Sequence, residues 1–387
     1  MADHIYRRFR AEDEPALARL EGTAFAVPVE EAPRWFDLAG RDQLRILQVG
    51  DEVVGGLVVV PMGLFVHGCS LSTWGVAGVA IAPERRGERL GHFLMASMLR
   101  EARDAGAALS SLYASTRTLY RGVGYGVGGS MRKVELPTDA LRCRGASTDG
   151  WRRGAADDHG AIEACYRRRA AQSNGLLDRG PYQWARLRRG DTVGTWVRER
   201  GGKVVAYVSF VHKRTDVGVG WNRAEGLDWS ADTVDDLRSL VALVHGFRSM
   251  TRATTLHVQV DDPLLDVLDE PRWEVVLEEG HMVRIVDVAK ALEERGYGAT
   301  QRGRVVVQIV DDVLPENAGP WTIEVDGGTA QVRRGGEGGV RIEVRALSAL
   351  LTGYSTPASL VRRGLLDRDD PALALLAAPS PSCLDFY

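Results

Sequence analysis

A short basic turn at the start of a helix is the stretch of this sequence whose residue types best suit chemistry. It reads Arg85-Arg86-Gly87-Glu88-Arg89-Leu90-Gly91, which places three arginines and two glycines where a helix begins. Free backbone N–H groups and the positive end of a helix dipole bind a pyrophosphate, and arginines pair with its charges. A solvated run of charges has the same composition, so the turn alone leaves both interpretations open. Because it contains neither GK[ST] nor GxGxxG, a P-loop enzyme and a dinucleotide enzyme are disfavoured.

The elements around this turn predict one parallel crossover unit. A β-rich apolar run, Val76–Ile81, ends at Pro83. After the turn, apolar residues keep the spacing of one buried helix face: Leu90, Phe93, Leu94, Met98 and Ala102. Gly106 is a plausible helix stop, and a second strand follows over Ala107–Ala114. Strand, turn, helix and strand in this order are typical of a parallel sheet with an anion site at the helix start.

The remaining patterns predict two further segments. Before the crossover unit come helices at 12–25 and 30–38 and a hairpin of 44–49 with 53–60. Residues 141–154, rich in Gly, Arg and Ser, indicate a linker or domain edge. A second layer then repeats the order of the first: helices at 157–172 and 182–187, strands at 195–199, 203–213 and 222–227, a helix at 234–247 and a strand at 254–260.

The second layer differs from the first at its helix start, which reads ADTVDD over residues 231–236. An acidic helix start repels phosphate, so we expect a catalytically empty copy of the first layer. The third segment begins near Arg284 with a helix at 286–295. Four short strands (304–311, 321–326, 329–334, 340–344) and two short helices (347–352, 357–363) predict an α+β arrangement, an antiparallel sheet with helices on one side. The chain ends on Phe386 and Tyr387, and an aromatic end of this kind is expected to dock into protein.

Composition narrows the class of protein. The chain has 387 residues, 44% hydrophobic and 26% charged, which suits two or three globular domains. A net charge of −3 gives no basic field for nucleic acid. The charged N-terminus lacks the apolar core of a signal peptide, and no apolar run is long enough for a membrane span. The four cysteines show no metal-ligand spacing, so we expect reduced thiols, a cytoplasmic location and no metal.

Two motifs resemble a known family. Residues 79–91, VAIAPERRGERLG, resemble the acetyl-CoA motif of the GNAT acyltransferases, and residues 115–126, STRTLYRGVGYG, resemble the signature of the Eis (enhanced intracellular survival) type. The sequence Arg-x-Val-Asp-Val at 284–288 and the aromatic end also match that type. The resemblance implies two GNAT-like mixed-sheet α/β domains, an acetyl-CoA-binding domain at 1–145 and one without a CoA site at 146–284. It further implies a sterol-carrier-protein-like α+β domain at 285–387 that supplies the C-terminal carboxylate.

Two positions depart from the family pattern. Arg89 replaces the first glycine of the motif, where glycine lets the backbone approach the phosphates closely. An arginine is tolerated if its side chain points outward, since its N–H remains. Gly78 stands where relatives often carry a bulky residue that lines the acceptor pocket. We therefore expect a wider pocket in this protein.

The resemblance also implies roles for matching residues. The strand backbone of Val79, Ala80 and Ile81 would hold the thioester end and the pantetheine arm of acetyl-CoA. The turn would bind the pyrophosphate, chiefly through N–H groups, with a set that comprises Arg86, Gly87, Glu88, Arg89, Leu90, Gly91 and His92. Ser115 and Thr116 would lie beside the lower arm of the cofactor.

Two tyrosines carry the chemistry that the resemblance implies. Tyr120 matches the general acid that protonates the departing CoA thiolate. A phenol of pKa about 10 and a thiol of about 8.5 exchange a proton readily in a desolvated site. Tyr387 matches the terminal residue whose α-carboxylate is the general base toward the acceptor amine. A free carboxylate of pKa about 3.5 is a weak base, so burial must raise its pKa or a water must relay the proton.

Several other residues have simpler interpretations. We expect Tyr113 and Tyr125 to be packing residues and the His92 side chain to lie at the surface. The histidines His245, His257 and His281 lack metal spacing and are read as ordinary core or surface residues. Three helix carboxylates would attract a cationic acceptor to the entrance, although solvated surface charges are the usual case: Glu21, Glu30 and Glu31.

These observations predict an N-acetyltransferase that moves an acetyl group from acetyl-CoA directly to a primary amine in a ternary complex. The resemblance suggests an aminoglycoside- or lysine-type acceptor and a homo-oligomer, with a hexamer as the expected form. Two alternatives stay open: a biosynthetic N-acyltransferase for another amine or a longer acyl-CoA, and a non-catalytic lipid-binding carrier.

Overall fold

The computed structural model describes residues 4–189, 193–215 and 221–387. The first three residues of the charged N-terminus thus lie outside the described residues. Seventeen strands are present in the described part: β1 His4–Arg8, β2 Leu44–Val49, β3 Glu52–Val66, β4 Cys69–Ile81, β5 Leu109–Tyr113, β6 Gly126–Pro137, β7 Trp151–Arg153, β8 Leu177–Asp178, β9 Val193–Arg200, β10 Lys203–Arg214, β11 Asn222–Ala231, β12 Thr251–Val258, β13 Glu274–Ile285, β14 Arg302–Val310, β15 Gly319–Asp326, β16 Thr329–Arg334 and β17 Val340–Glu343. The helices in that part, beside short 3-10 turns, are α1 Glu14–Phe25, α2 Ala32–Ala39, α3 Leu90–Asp104, α4 Arg117–Gly122, α5 His159–Gln172, α6 Pro181–Leu187, α7 Val234–His245, α8 Pro263–Asp266, α9 Val288–Glu294, α10 Val344–Leu351 and α11 Pro357–Arg362.

The crossover unit predicted from the sequence is confirmed. Strands β4 and β5 run parallel, and α3 connects them. The apolar face of α3 is buried, with Leu94 and Met98 both 0% exposed. The helix ends as expected at Gly106, whose φ of +79° is readily adopted by glycine. The amide of Ala107 then bonds back to the carbonyl of Ala102, which turns the chain toward β5.

A single sheet of 13 strands extends across the first two segments. Along the sheet the strand order is β1-β2-β3-β4-β5-β13-β6-β12-β11-β10-β9-β7, and β8 pairs with β3. Strand β13 belongs to the second segment in sequence, yet it pairs antiparallel with β5 and with β6 of the first. Strand β6 in turn pairs with β12. The two layers therefore share strands at their junction, and residues distant in sequence meet in its centre.

The second layer repeats the helix, hairpin, helix and strand order, as predicted. Its helix α7 begins at Thr233, whose side chain accepts a hydrogen bond from the amide of Asp236. The carboxylate of Asp236 is 0% exposed and pairs with Arg198 at 2.8 Å and Arg200 at 3.0 Å. A buried carboxylate thus occupies this helix start, at the place that corresponds to the basic turn of the first layer.

The third segment forms a four-stranded sheet with helices packed on it, as predicted. Its strand order is β16-β15-β14-β17. The prediction that this sheet is antiparallel is wrong for one pair, because the chain crosses from β16 at one edge to β17 at the other and β17 runs parallel to β14. Arg284, at the end of β13, joins this segment to the others, since its guanidinium pairs with Asp311 at 2.7 Å while both side chains are buried. The same guanidinium donates a hydrogen bond to the carbonyl of Val123, one residue beyond α4. Two α/β layers followed by an α+β third segment confirm the predicted fold class.

The end of the chain docks inside the protein. Ser382 bridges to Ser130 of β6, and the amide of Cys383 bonds to the carbonyl of Ser130 at 3.0 Å. Tyr387 is 6% exposed, so the predicted burial of the aromatic end is confirmed. Across the described residues we find no helix with the length and apolar character needed to cross a bilayer.

Candidate active site

The centre of the candidate site is the place where β4 and β5 separate. Within the described chain, their pairing covers Thr73–Gly75 and Leu109–Ser111, while β4 continues to Ile81. A bulge interrupts β4 beyond this point, because Gly56 pairs with Ala80 but Val58 pairs with Ala77. Two residues of β4, Gly78 and Val79, therefore oppose one residue of β3. The separation gives an extended ligand access to the edge of β4 that faces β5.

The basic turn lies at the far end of this cleft. Gly87 has φ +92°, and Arg89 adopts the left-handed conformation with φ +61° and ψ +16°. Arg89 is exposed, so its side chain leaves the turn without displacing it, as expected for an arginine at the motif glycine. Arg85 is engaged elsewhere, since it pairs with Glu88 at 2.8 Å and with Glu52 at 3.0 Å. The cationic groups that extend from the turn into solvent are therefore those of Arg86 and Arg89.

The first turn of α3 also contacts the helix that carries Tyr120. A Cβ added at Gly91 would lie 3.3 Å from the side chain of Leu119, so Leu119 would have to shift slightly to admit a larger residue. Leu119 directly precedes Tyr120 on α4. The helix start suited to phosphate and the helix of the candidate acid are thus packed against each other.

A cavity of about 730 Å³ opens beside the bulge. Both candidate catalytic tyrosines line it, as do Val79 and Ser115. The size lies in the usual range of sites for drug-sized molecules. Its other walls come from α1, α2, α6, β13 and the chain end, and they include Glu21, Trp35, Tyr182, Glu278 and Phe386.

Tyr120 has the environment of a neutral proton donor. Its ring is 5% exposed, and burial raises the pKa of its phenol to about 12. The neighbouring Tyr125 instead uses its hydroxyl in a buried hydrogen bond to Ser110 at 2.6 Å. Tyr113 likewise donates to the carbonyl of Cys383 at 3.1 Å. The packing role predicted for Tyr125 agrees with its contact, whereas Tyr113 packs and also lines the cavity.

The ring of Tyr387 is held on three sides. Its hydroxyl is hydrogen-bonded to Oγ of Ser111 at 2.5 Å and to Nε2 of His281 at 2.9 Å. Gly75 leaves room for the ring, since a Cβ there would lie 2.9 Å from Cε2 of Tyr387. Burial lowers the pKa of His281 to about 3, so this imidazole is neutral at ordinary pH. It is a core histidine, one of the two expected environments.

Two residues before the end, Asp385 anchors the tail to the second layer. Its carboxylate accepts from Arg179, with the closest ion-pair distance at 2.8 Å. Arg179 also forms a bidentate pair with Asp228, at 2.6 and 2.9 Å, and its guanidinium lies 3.6 Å from the ring centre of Tyr166. The guanidinium is buried between its two carboxylates, so the tail position is fixed by a desolvated ion network.

The space directly beside Gly78 is already occupied. A Cβ at Gly78, where φ is +56°, would overlap Cη2 of Trp35 and lie 3.0 Å from Oε1 of Glu21. Side chains from α1 and α2 therefore fill the space that a bulky residue on β4 would take. The interpretation of Glu21 as a solvated surface charge is also wrong, because this residue is 4% exposed, whereas Glu30 and Glu31 are exposed as expected.

The sequence-predicted residues fall into two groups. Tyr120, Tyr387, Val79 and Ser115 meet in the cavity. The remainder follow the edge of the cleft, outside the cavity wall: Ala80, Ile81, Arg86, Gly87, Glu88, Arg89, Leu90, Gly91, His92 and Thr116. Thr116 directly precedes α4, and His92 is exposed on α3, as predicted for its side chain. Apart from Thr116, these residues follow one another from β4 through the basic turn into the first turn of α3.

Family models cover most of the chain. An "Acetyltransferase (GNAT) domain" model matches residues 5–128, and a second model of that description matches residues 175–285. A "Sterol carrier protein domain" model matches residues 288–383. GNAT acetyltransferases use acetyl-CoA as co-substrate, and two such domains make this chain an acetyltransferase rather than a non-catalytic carrier.

Known proteins give the same assignment. The chain is 27% identical over 314 residues to N-acetyltransferase Eis of Mycobacterium tuberculosis, and the match covers 74% of this chain and 75% of that protein. It is 29% identical over 322 residues to an uncharacterized N-acetyltransferase of Streptomyces coelicolor, with coverage of 77% and 75%. The crystal structure of a GCN5-related N-acetyltransferase from Anabaena variabilis superposes over 100% of both chains with a TM-score of 0.95 and 28% identity. The chain belongs to the GNAT acetyltransferases, whose domain models cover more than half of its length, and it is similar to the Eis-type N-acetyltransferases.

Proposed function

We propose that this protein transfers an acetyl group from acetyl-CoA directly to a primary amine within a ternary complex. The amine nitrogen attacks the thioester carbonyl, the new C–N bond forms and the C–S bond breaks. The phenol of Tyr120 gives its proton to the departing thiolate. The α-carboxylate of Tyr387, directly or through one water, takes the proton that the amine loses. No covalent enzyme intermediate is needed, because both proton transfers use groups beside one cavity.

The observation that carries this proposal is that Tyr120 and the last residue of the chain line the same cavity, next to the bulge of β4. Tyr120 comes from α4 and Tyr387 from the docked tail, 267 positions later in the numbering of the chain. The raised pKa keeps the Tyr120 phenol protonated before the reaction, and it makes proton transfer to a thiolate, whose conjugate acid has a pKa of about 8.5, less favourable than transfer from a free phenol. Burial of the Tyr387 ring serves to hold the terminal carboxylate at this wall.

The edge of the cleft supplies a binding path for the co-substrate. In the proposal, Val79, Ala80 and Ile81 bond the pantetheine arm through their backbone, and the N–H groups from Gly87 to His92 bind the pyrophosphate. Arg86 and Arg89 add positive charge. Ser115 and Thr116 lie across the cleft, at the exit of β5.

In this proposal the three segments of the chain have different roles. We assign acetyl-CoA binding to residues 1–145 and the terminal carboxylate to residues 285–387. Residues 146–284 carry no CoA site in this proposal, since the buried carboxylate of Asp236 stands at the start of α7. The segment instead supplies Arg179 to hold the tail and β13 to join the layers.

The cavity suits an amine of moderate size, of the aminoglycoside or lysine type. Its wall combines aromatic faces with four glutamates and three arginines, and the aromatic faces and the glutamates are the groups that would contact a cationic amine. The test is thiol release from acetyl-CoA with a panel of aminoglycosides, polyamines and lysine derivatives. Turnover with one class would identify the acceptor. Turnover with longer acyl-CoA donors in preference to acetyl-CoA would instead favour the biosynthetic acyltransferase alternative.

Two variants separate the proposed catalysts from binding. Tyr120→Phe should lower kcat about 100-fold or more with little change in acetyl-CoA affinity, because general acid catalysis contributes about 10²–10⁴. Deletion of Tyr387 alone should remove turnover while acetyl-CoA still binds. Tyr354→Phe is the control, since that tyrosine is 39% exposed in the third segment. Unchanged kcat in Tyr120→Phe would overturn its assignment as the acid.

We also propose a homo-oligomer, with a hexamer as the expected form. The support is the family assignment. Sedimentation velocity at micromolar concentration tests it, and a monomeric boundary across the concentration range would contradict it.

A further inference from the structure

One buried carboxyl group in the cavity is not used by the proposed mechanism. Glu21 comes from the middle of α1, is 4% exposed and lines the cavity together with Gly78. Its Oε1 lies 3.0 Å from the point where a Cβ at Gly78 would stand. The group therefore reaches the bulge of β4, where the cleft and the cavity meet.

The carboxyl lacks a partner. Within the described residues, Oε1 of Glu21 is buried with no hydrogen-bond partner. Burying an unpaired polar oxygen is costly, and such oxygens in folded proteins are nearly always paired. Burial also raises the pKa of Glu21 to about 8, which is the response expected of a carboxyl group without a cation beside it. Oε1 itself is enclosed, so an amino group in the cavity would contact the carboxyl group on the side where Glu21 lines the wall.

The other charged groups of this cavity differ from Glu21 in their contact with water. Among the described residues, those that line it are Glu31, Glu278, Glu279, Arg117, Arg186 and Arg189. The three glutamates are exposed, and Glu278 already lies 3.3 Å from Arg132. Solvent screens exposed charges strongly, whereas a buried carboxylate attracts a cation in a low dielectric. Selection among amines is therefore expected to depend on Glu21.

We propose that Glu21 binds an amino group of the acceptor and so selects acceptors that carry at least two amino groups. This inference rests on the proposed transfer to an amine. One amino group must be uncharged to attack the thioester, and a second, protonated one donates to Glu21. The protonated amine favours the ionised carboxylate, which then forms a charge-assisted hydrogen bond. The substrate class is thus a diamine or polyamine, free or as part of a larger molecule.

A matched pair of acceptors tests this. 1,5-Diaminopentane and pentylamine have the same carbon chain and differ in the second amino group. In the unaltered protein, kcat/KM should favour the diamine by about 10- to 100-fold, the range of one hydrogen bond to a charged group. In Glu21→Gln the preference should fall to about threefold or less, mainly through KM of the diamine. The exposed Glu30→Gln is the control and should keep the full preference.

Glu21→Leu provides a second variant, because it removes the hydrogen-bond acceptor and leaves an apolar side chain of similar size. Thermal unfolding of each variant shows whether the fold is retained. An undiminished preference in folded Glu21→Gln and Glu21→Leu would overturn the inference, as would equal kcat/KM for the two amines in the unaltered protein.

Direct binding separates this inference from the proposed function. Calorimetry of 1,5-diaminopentane at pH 7, in two buffers of different ionisation enthalpy, counts protons. Binding should release about one proton more in the unaltered protein than in Glu21→Gln, since the neutral carboxyl group of Glu21 ionises when the cation arrives. Glu21-dependent binding without turnover of any amine would support the site and contradict the transferase proposal. Turnover of monoamines and diamines alike, with no such binding, would support the transferase and overturn the role of Glu21.

Discussion

Nε2 of His281 lies 2.9 Å from the hydroxyl of Tyr387, so the strand that joins the two layers holds the last residue of the chain. His281 lies on β13, paired on one side with Tyr113 of β5 and on the other with Gly129 of β6. The imidazole is 1% exposed and its ring packs against those of Tyr113 and Tyr387. The position of the candidate base therefore depends on a neutral histidine in the centre of the sheet.

The burial of His281 predicts a loss of stability in acid. Its pKa is about 3 in the folded protein against about 6.5 when unfolded, so the unfolded chain takes up the proton first as pH falls. The stability is present above pH 6.5 and is lost progressively down to pH 3. At pH 4 the loss from this group is about 3 kcal/mol, at 1.36 kcal/mol for each pKa unit. The measurement is the free energy of unfolding in urea at pH 7 and at pH 4. In His281→Gln the difference between the two values should be smaller by that amount.

The control for this experiment is His159→Gln, since His159 is an exposed histidine at the start of α5. It should leave the pH dependence as it is. If His281→Gln unfolds with the same difference between the two pH values as the unaltered protein, the imidazole is not the source of the acid sensitivity.

The ion pair of Asp385 predicts that tail docking can be weakened without unfolding the protein. Asp385→Asn removes the charge two residues before the terminal carboxylate, while Arg179 keeps its bidentate pair with Asp228. We expect kcat to fall about 10-fold or more, since misplacing a catalytic group by about 1 Å costs up to about 100-fold. KM for acetyl-CoA should stay within about twofold. Carboxypeptidase should remove the terminal residues faster than in the unaltered protein.

Asp367→Asn is the matched control, because Asp367 pairs loosely with Arg368 at 4.0 Å and both side chains are exposed. It should change neither kcat nor carboxypeptidase sensitivity. A faster release of the tail in Asp385→Asn with full kcat would mean that the terminal carboxylate is not the base.

The parts of the fold that the sequence predicted are those governed by local patterns. The β4, α3 and β5 unit follows from apolar spacing and the glycine stop within about 45 consecutive residues. Strand β13 was missed because its first half, Glu274–Glu279, carries three glutamates and mostly exposed residues. Its partners β5 and β6 lie more than 130 positions earlier in the chain. Such pairing leaves no periodic signal in a strand that is half solvated.

The residues of the candidate site likewise include some that local motifs predict and others that depend on contacts between distant parts of the chain. Motifs at particular positions predict Tyr120 and Tyr387, whereas the amphipathic pattern of α1 predicts a solvated Glu21, because a carboxylate on such a helix usually is solvated. Its burial depends on Trp35 and Gly78, which reach it from other elements. The pairing of Arg179 with Asp385 joins residues 206 positions apart. A single sequence carries no sign of such contacts, since each partner alone resembles an ordinary surface charge.

The space beside Gly78 predicts a coupled effect of two substitutions. Gly78→Ala adds a Cβ that overlaps Trp35, at a φ of +56° that alanine adopts with strain. We expect a loss of about 2–3 kcal/mol in the free energy of unfolding, of which about 1–2 is backbone strain. Trp35→Leu alone should also destabilise, because Nε1 of Trp35 donates to the hydroxyl of Tyr182 at 3.1 Å. The double variant should be less destabilised than the sum by about 1 kcal/mol, since the overlap is gone.

Urea unfolding of the four proteins measures this coupling. Gly160→Ala is the control for an added methyl group, as a Cβ there meets nothing within 4 Å and the site lies in α5. It should change stability by about 1 kcal/mol or less, in the stabilising direction. Additive losses in the Gly78 and Trp35 pair would show that the two side chains do not compete for the space.

The left-handed backbone at Arg89 predicts that glycine there stabilises the protein. An arginine at φ +61° destabilises the folded state by about 1–2 kcal/mol relative to glycine. The greater freedom of glycine in the unfolded chain offsets about 0.4–1 kcal/mol of that gain. Arg89→Gly should therefore raise the free energy of unfolding by about 0.5 kcal/mol. Arg89→Ala removes the same charge but keeps the strain, so its stability should be unchanged.

The variants Arg89→Gly and Arg89→Ala should both raise KM for acetyl-CoA by a similar factor of about two to five at low salt, because each loses one phosphate-attracting guanidinium. A lower KM in Arg89→Gly alone would show instead that close approach of the backbone to the phosphates, rather than charge, limits binding at this turn.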